Sequence, residues 1–266
     1  MGRFTHSLVT DGYVTVDVAR GPVVACAIHA GQSLRPSLRP YVALDPADRL
    51  REEDPHTDTI ARIGVTRVVA RHSRFEVDLN RPRAGAVYRT PEEAWGLTVW
   101  SESLPETEID RSLQLYDRFY DLMGALLGGI VARHGAAVVF DVHSYNHRRE
   151  GPGAPVDSPE FNPEVNIGTG SLDTARWGPL VEAVTKRFAA RGHDVRENVR
   201  FRGGHFSAWA HEIFRGDVAV LAFEFKKVFM DEWSGVCDPA AIERTRASLA
   251  ECVECAERAV TGGNAT

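Results

Sequence analysis

VVFDVHSYNHRR, residues 138–149, is the stretch on which the fold of this chain turns. The run from Ala136 to Phe140 is apolar without alternation, the pattern of a strand covered on both faces, and it stops at Asp141 and His143. In open α/β sheets ligands bind in the crevice outside the carboxyl ends of the strands. His143 is expected there, with Asp141 two residues back on the same side of the strand. A neutral imidazole so placed can hold a metal ion, and a neighbouring carboxylate can fix its tautomer. The same pair also suits a hydrogen-bonded structural histidine, and the rest of the chain has to decide between the two.

Just upstream, residues 105–134 carry apolar side chains at three- and four-residue steps, among them Leu113, Tyr116, Tyr120, Met123, Leu127 and Ile130. That spacing predicts a long helix whose aromatic and Met stripe packs on the core. Downstream, residues 150–164 are rich in Pro and Gly and read as a long loop. Asp173 to Arg191 reads as an amphipathic helix ended by Gly192, and Val218 to Phe225 as a buried strand broken by a single acid, Glu224. Carboxylates are seldom buried unless paired or engaged in chemistry, so Glu224 is a candidate acid or base. Residues 239–260 close the chain as a helix; the Cys252-x-x-Cys255 pair inside it has no second pair and reads as structural.

Toward the amino terminus, residues 12–19 alternate and read as an edge strand, and Val23 to Ile28 as a short buried strand ending at His29. Residues 33–50 read as loop. Asp54 before Pro55 is suited to cap a helix that begins with proline, or else Asp54 or Asp58 is a metal ligand. Residues 65–70 and 75–81 read as strands, the second ending in Asn80-Arg81, a fork of donors suited to a carboxylate or an oxyanion. Residues 84–104 look irregular. Asn166-Ile167-Gly168-Thr169-Gly170 lacks the GK[ST] of a P-loop, and Gly203-Gly204, beside Arg202 and His205, permit close backbone approach or a tight turn.

A length of 266 residues with 43% hydrophobic content suits one large core. A net charge of −6 and a pI near 5.9 argue against nucleic acid as a partner and leave a small molecule. The first twenty residues hold no apolar signal core, and no apolar run approaches the ~18 residues of a membrane span, so a soluble cytoplasmic location is expected. Nothing in the sequence specifies an oligomeric state.

The segments IHAG (28–31), EEDPHTD (52–58), VDLNRP (77–82), DVHS (141–144), NIGTG (166–170), FRGG (201–204) and FEFKKVFMDE (223–232) together resemble, in order, the N-formylglutamate amidohydrolase family. That family is distantly similar to zinc carboxypeptidases and aspartoacylases. The resemblance implies a single catalytic domain over 1–266 with a three-layer α/β/α fold around a mixed, mainly parallel sheet, of the zinc-exopeptidase type. It implies metal-binding histidines at His29 and His143, an Asn80-Arg81 pair on the substrate and Glu224 as general base. One departure matters: where the carboxypeptidase pattern is H-x-x-E, this chain has Gln32, a poor zinc ligand. The carboxylate ligand is therefore expected from the acidic cluster, Asp54 first and Asp58 next.

A metal amidohydrolase follows as the expectation. Zinc on His29, Asp54 and His143 would lower the pKa of water toward ~7, Glu224 would move the proton, and Arg81 would steady the oxyanion. Arg149, Arg202 and His205 are candidates to hold a carboxylate of an acidic N-acyl amino acid such as N-formyl-L-glutamate. Imidazole and carboxylate ligands favour zinc and leave cobalt and iron open. The competing readings are an aspartoacylase- or carboxypeptidase-like hydrolase acting on another N-acyl amino acid or peptide, and a metal-free protein that binds an N-acyl amino acid without turnover.

Overall fold

The computed structural model describes residues 6–10, 12–156 and 158–262. Among these residues eight strands, His6–Thr10 (β1), Val14–Val18 (β2), Val23–Ala27 (β3), Thr66–Ala70 (β4), Ala137–Tyr145 (β5), Val165–Gly168 (β6), Val195–Glu197 (β7) and Val218–Lys226 (β8), form one sheet. Their spatial order is β1-β2-β4-β3-β5-β8-β6-β7. The pairs β4/β3, β3/β5, β5/β8 and β6/β7 are parallel, while β1/β2, β2/β4 and β8/β6 are antiparallel. The sheet is thus mixed and mainly parallel.

Among the described residues seven α-helices flank it: Pro46–Glu52 (α1), Thr57–Ile60 (α2), Glu106–His134 (α3), Thr174–Ala190 (α4), His205–Phe214 (α5), Pro239–Glu251 (α6) and Val253–Gly262 (α7). Side chains alternate along a strand, and the two sets enter separate cores. Val138, Phe140 and Val142 of β5 and Leu221 and Phe223 of β8 pack on Leu180, Val184 and Phe188 of α4, with Leu249 of α6 and Val260 of α7 beyond. Val139 of β5 and Val220 of β8 pack on the other side against Phe119, Met123 and Leu127 of α3 and Phe206 of α5. The result is a three-layer α/β/α arrangement with β3, β5 and β8 buried at its centre.

Several expectations are corrected. The edge strand is β1, and β2 lies one place inward. Strand β5 does not stop at Asp141 but carries on to Tyr145, because all nine of its residues are buried and paired. Residues 33–50 are not all loop: Pro36–Tyr41 is a 3-10 helix, and α1 starts at Pro46 with Asp45 accepting from the Ala47 N–H. Asp54 caps nothing with its side chain, and α2 begins later, after His56 in the left-handed region. Residues 75–81 form turns instead of a strand, held by Glu76 N–H to Ser73 O and Asp78 N–H to Ala86 O. The closing helix is two, broken at Cys252.

Candidate metal centre and substrate cavity

The site grows from the register of the central strands. In the parallel β5/β8 pair, His143 lies beside Glu224 and Asp141 beside Ala222, so the imidazole and the acid share one face of the sheet. His29 follows the end of β3, the neighbouring strand on the other side of β5. Asp54 reaches the same place through its backbone: its N–H donates to His29 O at 3.0 Å. The buried ammonium of Lys227 donates to the carbonyls of Arg51 and Glu53 at 2.5 and 2.8 Å. These contacts hold the chain at Asp54 and in the three residues before it.

His29, Asp54 and His143 are each at most 3% exposed, and one donor atom from each lies within 4.8 Å of the others. Nδ1 of His29 and Nδ1 of His143 stand 3.5 and 3.1 Å from Oδ2 of Asp54, while Ser144 Oγ donates to Oδ1 at 3.2 Å. The outer nitrogens face acids. His29 Nε2 is 2.8 Å from Asp78 Oδ1, and His143 Nε2 is 3.0 Å from Asp141 Oδ2, off the line of a hydrogen bond. When Nε2 carries the proton, Nδ1 presents a lone pair inward, so two lone pairs and a carboxylate converge in a buried space. Such a set calls for a cation. Both oxygens of the buried Asp141 also lack a hydrogen-bond partner among the described residues, which fits a site built around positive charge. The residues fit a mononuclear metal with N, N and O ligands.

The charges agree. Burial opposes ionisation of Asp54, but His143 and His29 outweigh it and hold the carboxyl far below its usual range. Burial likewise opposes the charge on His143, yet Asp141, Asp54 and Glu224 raise its pKa well above the ordinary value. Glu224 is pushed up to about 8, mainly by burial, with Asp54 and Asp141 adding like charge against the pull of His143.

A cavity of about 350 Å³ opens over these groups, lined by the three ligand candidates and Glu224, and by Arg74, Asn80, Trp95, Arg149, Arg202 and Lys227 among others. Asn80 presents its amide in a defined sense. Its Oδ1 accepts from the Phe206 N–H at 3.1 Å, in the first turn of α5, which leaves Nδ2 as the donor toward the cavity. Gly204 makes this possible, since a Cβ there would meet Asn80 Oδ1 at 2.2 Å. Gly168 and Gly170 serve the chain itself: a Cβ would strike the backbone of residues 202–203 at 2.4 and 2.8 Å, so they accommodate that loop.

Of the residues singled out from sequence, His29, Asp54, His143, Glu224, Asn80, Arg149 and Arg202 come together at this cavity. Asp58 does not; its side chain is partly exposed, 3.9 Å from Arg71. Arg81 and His205 are near but not on the wall. The Arg81 guanidinium lies over the Tyr88 ring at 4.6 Å and the Trp95 ring at 5.4 Å, and the His205 ring packs beside Tyr120. Sequence reasoning missed Arg74, Lys227 and Trp95. Arg74 donates to Asp78 Oδ2 at 2.7 Å, and only its place four residues before Asp78 in a turn would have marked it. The pair of lysines after the apolar run of β8, Lys226 and Lys227, was the available signal for Lys227.

A second constellation resembles a hydrolytic triad in bonding order: Ser248 Oγ to His193 Nε2 at 2.9 Å, and His193 Nδ1 to Glu164 at 2.7 Å. Ser248 is 2% exposed and its hydroxyl donates to Arg244 O, so it is a structural link between α6 and the sheet.

Relatives carry the same arrangement of elements. The chain is 27% identical over 255 residues to the N-formylglutamate deformylase of Pseudomonas aeruginosa, covering 88% of this chain and 92% of that protein. It superposes on the crystal structure of N-formylglutamate amidohydrolase from Ralstonia eutropha with a TM-score of 0.76 at 17% identity, covering 94% and 99% of the two chains. A gene product of Agrobacterium tumefaciens follows at 0.61 and 18%, with coverage of 92% and 97%. The model of the N-formylglutamate amidohydrolase family matches residues 21–229, a span that holds β3 through β8 and every residue of the cavity named above. With its central sheet, both histidines and Glu224 inside that match, the chain belongs to the N-formylglutamate amidohydrolase family.

Proposed function

We propose that this protein is a metal-dependent amidohydrolase that removes the formyl group, or another small acyl group, from an acidic amino acid such as N-formyl-L-glutamate. The observation that carries the reading is the convergence of one donor atom each from His29, His143 and Asp54 within 4.8 Å at a cavity that Glu224 also lines. Family membership and the deformylase relative support the substrate class. Zinc is the metal the ligand set suits best; bound there, it supplies a Lewis acid and a water of lowered pKa.

Glu224 handles the proton. Burial raises the Glu224 pKa to about 8, a basicity suited to holding a proton taken from water and returning it; the ionised form, which a cation beside it favours, is the one that accepts. As water adds to the formyl carbon, one Glu224 oxygen takes its proton. As the C–N bond breaks, Glu224 gives that proton to the amide nitrogen, and formate and the free amino acid leave. Charge on the oxyanion is met by Arg74. Its Nη2 is committed to Asp78 and its Nη1 makes a long 3.4 Å contact to Glu52 O, but its buried Nε has no partner among the described residues and its side chain lines the cavity. Arg81 stands behind it as a second positive charge.

The rim supports an acidic substrate. Arg202 is exposed, with no carboxylate partner among the described residues, and Arg149 is half exposed with its guanidinium 3.9 Å from Glu52. Two available guanidiniums and the Asn80 amide complement the two carboxylates of an acyl glutamate. A cavity of about 350 Å³ is at the small end for ligand sites.

The test is formate release from N-formyl-L-glutamate by zinc-loaded protein, with Glu224→Gln alongside. The expected result is formate from wild type and a loss of about 10²–10⁴-fold in the variant at equal zinc content. Undiminished turnover in Glu224→Gln would remove the residue from the chemistry. Zinc binding with no formate, but with amine released from another N-acyl amino acid, would move the activity to the aspartoacylase-like class.

A further inference from the structure

We propose that Trp95 is a positioning residue of the substrate cavity, ordering Arg74 against the cavity wall and placing its indole beside the bound amino acid. The proposal rests on the reading of this cavity as the substrate site. Trp95 ends a short 3-10 turn, Pro91–Ala94, with φ 54° and ψ 30°, followed by Gly96 at φ 90°. The left-handed region is disfavoured for a bulky side chain, and Asn or Gly would hold such a turn with less strain. Nor does core packing explain the residue. Ala94, Val99 and Trp100 join Leu38, Phe75 and Tyr88 in the small core under this loop, whereas Trp95 stays outside that core and is 48% exposed. Strain in the backbone together with exposure of a large aromatic ring points to a role at the surface it faces.

That surface is the cavity. Of the chain's five tryptophans, Trp95 is the one on the cavity wall. The Arg74 guanidinium lies over its ring at 4.8 Å, the Arg81 guanidinium at 5.4 Å, and Tyr88 meets it edge-on at 5.7 Å. Arg74 is otherwise held by Asp78 at 2.7 Å through Nη2 and by a long 3.4 Å contact from Nη1 to Glu52 O, which leave the faces of the planar group uncovered. The indole closes one of them. Cation–π contact with a partly desolvated guanidinium therefore keeps Arg74 turned to the substrate.

The test uses the zinc-loaded full chain as wild type, Trp95→Phe and Trp95→Ala, compared at equal zinc content and equal far-UV circular dichroism. Tryptophan emission is titrated with L-glutamate, and kcat and KM are measured on N-formyl-L-glutamate. The expected results are a saturable emission change in wild type that is absent from Trp95→Phe, near-normal turnover in Trp95→Phe, and a fall in kcat/KM of about tenfold in Trp95→Ala, carried mainly by kcat. Wild-type kinetics in Trp95→Ala, or an emission change that persists in Trp95→Phe, overturns the proposal and leaves the proposed reaction standing. A Trp95-dependent emission change without turnover by wild type keeps the proposal and removes the reaction. Neither emission change nor turnover removes both. If Trp95→Ala does not fold, the emission comparison between wild type and Trp95→Phe decides alone.

Discussion

Replacing Asp78 with Asn changes one atom in a carboxylate that never touches the substrate cavity, and the structure predicts a large effect. Asp78 is fully buried and takes two donors on each oxygen. Oδ1 accepts from His29 Nε2 and from the Asn80 N–H, each at 2.8 Å; Oδ2 accepts from Arg74 Nη2 at 2.7 Å and from the Tyr88 hydroxyl. Whichever way an Asn amide turns, its NH2 faces two donors. The lost charge also leaves Arg74 largely buried without its carboxylate, a defect of about 3–5 kcal/mol. Loss of the acid behind a ligating histidine lowers metal affinity by about 10–100-fold. Urea unfolding of the metal-free protein measures the first effect, and competition with a chromogenic chelator measures the second. Stability within about 1 kcal/mol of wild type, with zinc affinity unchanged, would refute the claim that Asp78 is the hub joining ligand and cation.

Other predictions follow from single contacts. His211 Nε2 accepts from the Val220 N–H at 2.9 Å, and burial lowers its pKa from 6.5 to about 4, so the folded state holds it neutral. Its contribution is complete above the unfolded value and is lost as pH falls from about 6.5 to about 4; urea midpoints across that window should fall more steeply for wild type than for His211→Gln. Gly204→Ala should destabilise by about 1–3 kcal/mol and raise KM, because its Cβ displaces the Asn80 amide. Gly85→Ala, with no heavy atom within 4 Å of the new Cβ, is the matched control. Arg202→Ala should raise KM for N-formyl-L-glutamate by about tenfold with kcat retained and stability within about 0.5 kcal/mol, checked by steady-state kinetics and a melt.

Long, uniform patterns were legible in the sequence. The helical stripe of α3 and the apolar runs of β3, β5 and β8 give their elements directly, because each is buried along its whole length by periodic contacts. His29 and His143 were visible because strand ends in an α/β sheet converge. Glu224 stood out as an acid in an apolar run. What failed is local pattern settled by distant partners. Phe75, Val77 and Leu79 alternate with Glu76, Asp78 and Asn80, as in a strand, yet Glu76 is drawn to Arg35 and Asp78 to His29 and Arg74. The alternation serves two buried sides of a looped segment, one apolar and one polar. Helix α1 escaped notice because it has no buried residue to set a period, although Asp45 and Pro46 are start signals. The identity of the cation on the wall, Arg74 before Arg81, depends on how that loop folds over Tyr88 and Trp95. No spacing rule encodes it.

The central claim is that His29, Asp54 and His143 hold one metal ion whose presence the hydrolysis requires. The direct measurement is metal content per chain by elemental analysis, on wild type and His143→Ala purified side by side, with formate release from N-formyl-L-glutamate assayed on the same samples. The account predicts about one zinc per chain in wild type, its loss in His143→Ala, and formate only from the former. Wild-type protein that takes up no metal after reconstitution, or formate released equally by both, would contradict it.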